Sequence, residues 1–189
     1  LNALLFASFY RRKEFLMEKF RKTTEEDLVE LMVLFEEGIA FLKAQRSPQW
    51  QDGYGPKENQ IKADIANGES YVLVKDGKIA ASAALVSGDD PVYNAITGAG
   101  WEGNGPYLSI HRVVVSSHFK GQKLSAKLLQ ALEVVALEQG IVDLRIDTYK
   151  ANIGMQKNIQ AAGYQYKGEV TFPFPNGERL AFQKRLTAS

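Results

Sequence analysis

The stretch HRVVVSSHFKGQKLSAKLL, residues 111–129, places a histidine, three lysines and a single glycine around the junction of an apolar run and a helical one. A strand that runs into a helix N-terminus leaves backbone N–H groups unpaired beside the positive end of the helix dipole, and together these attract an anion. Helix N-termini ordinarily carry Asp or Glu, and a cation there is unfavourable by about 0.3–1 kcal/mol. Here Lys120, Lys123 and Lys127 fill the loop and the first turns, and no acid follows before Glu133. Two readings are open: a solvated lysine face, or a bound anion that the lysines neutralise. The missing acid favours the anion. The loop contains neither G-x-x-x-x-G-K-[ST] nor G-x-G-x-x-G, which argues against a P-loop or a dinucleotide site. Just upstream, strand alternation puts His111 on the face of Ser109 and Val113, with Arg112 on the opposite face as a structural partner. An imidazole suits proton transfer near neutral pH, and it equally suits a core histidine that orients a strand.

The elements that must position these groups read as alternating helices and strands. Thr23 and Glu26 have capping-box spacing, and Leu28, Leu31, Met32, Phe35, Ile39 and Leu42 recur at helical intervals. This predicts a helix of about twenty residues, interrupted near Gly38. RSPQWQDGYGP breaks it, and KENQIKADIANG gives a shorter helix ended by Gly68. SYVLVKDGKIAASAALVSG is a hairpin turned at Asp76-Gly77. Residues 88–106 form a long loop with a helical turn, and YLSIHRVVV is too apolar on both faces to be an edge strand. A helix through Leu124, Leu128, Leu132 and Val135, the strand IVDLRIDTY, a helix from about Asn152 to Ala162, and a closing hairpin around PNGE complete the order.

Composition bounds what these groups can do. The 189 residues, 45% of them hydrophobic, suffice for one well-filled core. A net charge of +1 gives no global drive toward nucleic acid, and Phe119 alone in the basic patch could stack on a base. The absence of cysteine removes disulfides, thiolate metal sites and a cysteine nucleophile, and suits a cytoplasmic protein. With only two histidines, no metal site is expected. Residues 1–16 read as an N-terminal extension, whether tag, upstream translation or appendage, and 17–189 as a single domain. The apolar run before Arg11 is too short to span a membrane and its charges follow it, so no membrane partner is expected; an amphipathic anchor is the alternative.

From about Arg21 to Leu186 the order of elements resembles the GNAT superfamily of acyl-CoA-dependent N-acetyltransferases, and two local motifs carry the likeness. The family loop reads [Q/R]-x-x-G-x-[G/A], followed by a leucine pair. Setting Leu128-Leu129 on that pair puts Lys120 at the basic position, Lys123 at the usual glycine and Ser125 at the final small residue. The alternative register puts Gly121 on the glycine and His118 on the basic position. A left-handed backbone at Lys123 would cost roughly 1–2 kcal/mol, so a right-handed one is expected there. The second motif is an asparagine eleven residues before Gly-[Phe/Tyr], matched by Asn152 and Gly163-Tyr164. Alone, Asn152 would read as a helix cap. Ile159 stands where many members have a tyrosine that protonates the leaving thiolate, and Met155 where they have a small residue.

The resemblance implies a mixed α/β (α+β) fold: a central, mostly antiparallel twisted sheet with a splayed parallel pair, and helices on both faces. It implies acetyl-CoA as co-substrate, its pantetheine arm along Val113, Val114 and Val115. Its diphosphate would lie on Lys120, Gly121, Gln122, Lys123, Leu124, Ser125 and Ala126, with help from Asn152. A small-molecule amine would attack the thioester directly, with His111 as base because Ser109 occupies the position of the family's glutamate. Trp50, Tyr54 and Trp101, with Asp89, Asp90 and Glu102 nearby, suit a cationic acceptor. A silent acyl-CoA-binding sensor is the competing reading, motivated by Lys123 and Ile159. A homodimer stays open as the assembly.

Overall fold

The computed structural model describes residues 18–187, so the extension expected at 1–16 lies outside them. The strands are β1 Lys19–Lys22, β2 Ser70–Lys75, β3 Lys78–Ser87, β4 Thr97–Gly98, β5 Tyr107–Val115, β6 Asp143–Tyr149, β7 Gln165–Thr171 and β8 Glu178–Arg185. The helices are α1 Leu28–Ala44, α2 Glu58–Ala66, a single turn α3 Pro91–Asn94, α4 Leu124–Glu138 and α5 Ile153–Ala161. The strands join in one sheet, ordered β1-β2-β3-β5-β6-β8-β7-β4. Among the described residues only β5 and β6 run parallel, joined by the α4 crossover. This is the mixed fold with one parallel pair that the resemblance implied.

Alternation along β2 sorts the layers. Tyr71 and Leu73 pack with Leu108, Ile110, Ile146 and Phe182 beneath Leu124, Leu128, Leu129 and Leu132 of α4. Val72, on the opposite face, packs with Leu31, Leu34 and Phe35 of α1 and Ile61 of α2. The Asp76-Gly77 turn between β2 and β3 takes positive φ at both residues, as a two-residue hairpin requires.

Several local expectations need correction. The capping box uses Thr24 and Asp27, one residue on from the expected pair: the Thr24 N–H donates to Asp27 Oδ2 at 2.8 Å, in a 3-10 turn that leads into α1. Arg21 grips the same carboxylate at 2.6 Å, so Asp27 serves the turn and the strand before it. Gly38 does not interrupt α1. A Cβ there would stand 2.8 Å from Val114 Cγ2 and 3.4 Å from the Trp50 ring, so the glycine lets α1 lie close on β5. β1 and β4 were missed, being short. β4 is admitted by Gly168 of β7, where any Cβ would fall 1.8 Å from the Thr97 carbonyl oxygen.

The long excursion between β3 and β5 is held down by a buried polar network. Arg145 lies 3.6 Å over the Tyr107 ring and 4.6 Å over that of Trp101, and donates to Asp143 at 3.0 Å. Gln183 joins Asp143 to the Glu102 backbone at 2.8 and 2.9 Å. The Trp101 indole N–H donates to the Tyr93 carbonyl at 2.8 Å. This anchorage sets Asp90 and α3 over the middle of the sheet.

Candidate active site

The parallel ladder pairs Tyr107, Leu108, Ser109 and Ile110 with Asp143, Leu144, Arg145 and Ile146, and stops. β5 runs on to Val115 and keeps its ladder with β3, while β6 turns toward β8. Beyond Ile110 the β6-facing edge of β5 is therefore an internal free edge, able to pair with an extended ligand. The first residue on each tine of this fork is His111 on one side and Asp147 on the other.

A bulge shapes the β5 tine. Ala84 faces His111 and Ser82 faces Val114, so Ala83 opposes both Arg112 and Val113. Arg112 takes φ +55° and is held there by Asp64 of α2, which accepts from Nε at 2.7 Å and Nη2 at 2.8 Å. The extra residue resets the alternation, and the expectation that Val113 shares a face with His111 fails. Val113 packs with the α4 cluster, Val114 with the α1 cluster, and Val115 is exposed.

His111 sits within a partly buried ring of polar groups. Its Nδ1 lies 3.7 Å from Asp147 Oδ2, and its Nε2 3.7 Å from Asp90 Oδ2. Tyr93 packs against the imidazole with ring centroids 5.6 Å apart and donates its hydroxyl to Asp147 Oδ2 at 2.9 Å. Asp90 Oδ1 caps α3 through the Val92 N–H, and the Asp90 N–H donates to the Tyr107 hydroxyl. Burial, helped by the neighbouring Arg112 charge, lowers the His111 pKa to about 3, so the free imidazole is neutral. Burial raises Asp147 to about 6, against the Tyr93 hydrogen bond and the Arg179 charge, with Asp90 adding to the rise. Two groups pushed in opposite directions at one spot are the pattern of an acid–base site. Sequence reading missed Asp147, because an aspartate in IVDLRIDTY has no local signal beyond its place in a strand that otherwise reads as core.

At the other end of the fork, Lys123 heads α4 with φ +56° and ψ +29°. The right-handed backbone expected there is wrong: the position that carries glycine in the family motif is left-handed here, with lysine in it. Gly121 also has positive φ, at +81°. Among the described residues no side chain caps α4 and none partners the buried Ser125 hydroxyl, so the residues present fit an anion at this N-terminus. Lys127 is not the unbalanced cation expected, since Glu18, 109 residues earlier, accepts from it at 2.6 Å. Among the described residues no carboxylate pairs with Lys120 or Lys123. Asn152 caps α5 by accepting from the Met155 N–H at 3.1 Å, and donates to Gln49 at 3.1 Å. Ile159 is fully buried in the α4 cluster and brings no polar atom to the fork.

The aromatic candidates divide. Trp50 packs edge-on to Phe35 in the α1 cluster, whereas Trp101 lies against Tyr93, which also packs against Tyr107 and His111. Tyr54, from the Trp50 loop, is exposed and stacks on Phe174 at 5.2 Å. Phe174 also neighbours buried Arg179, whose Nε is 3.8 Å from Asp147. Of the loop carboxylates, Asp90 reaches the site, Asp89 is exposed, and Glu102 pairs with Lys167 instead. Among the described residues no three His, Asp or Glu side chains gather as a metal ion would require, and no helix is long and apolar enough to cross a membrane.

The sequence model of the acetyltransferase (GNAT) family matches residues 39–164, a span that includes the fork, the lysine loop and Asn152. The chain belongs to the GNAT acetyltransferase family. A GNAT-family acetyltransferase from Streptococcus agalactiae is 35% identical, with TM-score 0.81 over 90% of this chain and 96% of that one. The uncharacterized N-acetyltransferase YesJ of Bacillus subtilis is 26% identical over 86% of this chain and 87% of its own. The Salmonella typhimurium protein yncA, solved with its cofactor acetyl-CoA, shares the fold at 14% identity, with TM-score 0.63 over 91% of this chain and 95% of that one. The GNAT fold thus accounts for the splayed pair, while the ring around His111 is described by this chain's own side chains.

Proposed function

We propose that the protein is an N-acetyltransferase that moves the acetyl group of acetyl-CoA to a primary amine of a small or amino-acid-like molecule by direct attack. The observation that carries this reading is the fork itself: a free strand edge leads from an anion-accepting helix N-terminus to a buried histidine flanked by carboxylates. Acetyl-CoA would run along Val113, Val114 and Val115, with its diphosphate at Lys120 to Ala126 and its thioester near His111. In the reaction the amine nitrogen forms a bond to the acyl carbon and the C–S bond breaks. An ammonium acceptor gives one proton to the His111 base beforehand, and a second passes from nitrogen to the departing thiolate. Placement and a deprotonated amine supply most of the acceleration.

Calorimetric titration with acetyl-CoA, followed by an amine screen, tests this. Binding and turnover are expected in the wild type, with His111→Ala retaining binding and losing about 10²-fold or more in kcat/KM. No binding at any salt would end the enzyme reading, and undiminished turnover in the variant would remove His111 from the mechanism. A non-catalytic acyl-CoA sensor is the second reading, favoured by fully buried Ile159 in place of the usual acid. Binding without turnover on any amine would select it.

A further inference from the structure

The gap of 3.7 Å between His111 Nε2 and Asp90 Oδ2 is too wide for a direct hydrogen bond, yet one nitrogen placed beside both atoms can donate to each at ordinary distance. Asp90 has only this oxygen to offer, because Oδ1 is occupied by the Val92 N–H and the preceding loop is tied to Tyr107. On the far side of the ring, Nδ1 faces Asp147, which is braced by Tyr93 at 2.9 Å and lies 3.8 Å from Arg179. The imidazole thus has a carboxylate behind it and, in front, a carboxylate oxygen to which no described residue donates.

We propose that Asp90 Oδ2 and His111 Nε2 form an ammonium subsite, in which the acceptor is held as a cation by Asp90 and gives its proton to His111, while Asp147 stabilises the imidazolium so formed from the other side of the ring. The inference rests on the N-acetyltransferase reading and narrows its substrate class to alkylammonium acceptors. The step balances: the N–H bond of the ammonium breaks, an N–H bond forms on His111, and the amine lone pair so released attacks the acyl carbon. The imidazolium lies between two carboxylates, 3.7 Å from an oxygen of each, so its charge is balanced from both sides. The charged and titratable groups around the ring are Asp90 from the loop before α3, Tyr93 from α3, Tyr107 and Arg112 from β5, Asp147 from β6 and Arg179 from β8. Arg112 is paired with Asp64 of α2 and Arg179 lies 3.8 Å from Asp147, so the three carboxylates outnumber the two guanidinium groups and a cation entering at Asp90 meets a net negative pocket.

Two measurements test this separately from the activity itself. The chain has two histidines and His118 is exposed, so the imidazole nitrogen resonances of His111 are readily distinguished. Butylammonium chloride added to the wild-type protein is expected to shift the His111 Nε2 resonance, and butanol is not. No shift with the ammonium, or an equal shift with both, overturns the subsite whether or not the protein turns over any amine. In kinetics, Asp90→Asn is expected to raise KM about tenfold for an alkylamine protonated at assay pH and to leave an arylamine, neutral at that pH, within twofold. Asp147→Asn is expected to lower kcat about 10²-fold and to flatten the acid limb of the pH profile, with KM little changed. Equal loss on both amine types with Asp90→Asn, or an unaltered pH limb with Asp147→Asn, would reject the assignment while leaving the acetyltransferase reading intact if His111→Ala is inactive. Absence of turnover in the wild type would instead defeat that reading.

Discussion

The two ends of the fork are built by opposite strategies. At the end proposed for the acceptor, His111, Asp147, Asp90 and Tyr93 arrive from three separate stretches of chain, and burial shifts the pKa values of His111, Asp147 and Tyr93. At the end proposed for the cofactor, a single continuous loop offers Lys120 and Lys123 to solvent, where backbone amides and screened charge are the groups available. The buried end therefore responds to pH and to isosteric changes, the exposed end to salt and to backbone conformation.

The largest expected effect breaks the buried end in two. Asp147 is raised from 3.8 to about 6 by folding, so between those values the native state holds the extra proton and stability falls as pH rises. His111 is lowered from 6.5 to about 3, so there the unfolded state holds the extra proton and stability rises with pH across that window. In the wild type the two slopes oppose each other between about pH 4 and 6. Urea unfolding should find His111→Gln losing stability as pH rises through that range, and Asp147→Asn gaining it, by a few kcal/mol each. Both variants tracking the wild type would mean that neither group is shifted.

At the exposed end, Lys123→Gly removes the left-handed strain and is expected to stabilise the fold by about 1 kcal/mol, read as a higher urea midpoint at constant m value. A lower midpoint would show that the lysine side chain supplies more than its backbone loses. The smallest effect belongs to Lys120→Ala: about threefold weaker acetyl-CoA binding at low salt, vanishing near 1 M salt where the screening length is about 3 Å. A loss that persists there would place Lys120 in a desolvated contact and erase the contrast between the two ends.

What could be read from the residues follows the same division. The hairpin at Asp76-Gly77, the central apolar β5, the lysine loop and the Asn152 cap all announce themselves through neighbours in sequence. The bulge does not, because arginine is no marker of a left-handed residue and its restraint, Asp64, lies 48 residues away. That one extra residue turned Val113 to the other face. The partner of Lys127 is 109 residues distant, and Asp147 gains its meaning only from the fork that sets it opposite His111. Lys123 was misjudged for a different reason: the energetic penalty of a left-handed lysine is small enough for the loop's demand on that position to override it.

Four residue pairs hold β5 to β6, against seven for β6 and β8. The sheet is thus two leaves, β1-β2-β3-β5 and β6-β8-β7-β4, meeting along a short spine. A molecule lodged in the fork touches both leaves where the spine has run out, and works as a clasp. Binding in the cleft would then add to the cohesion of the sheet, because a ligand that needs both leaves in place stabilises the folded state.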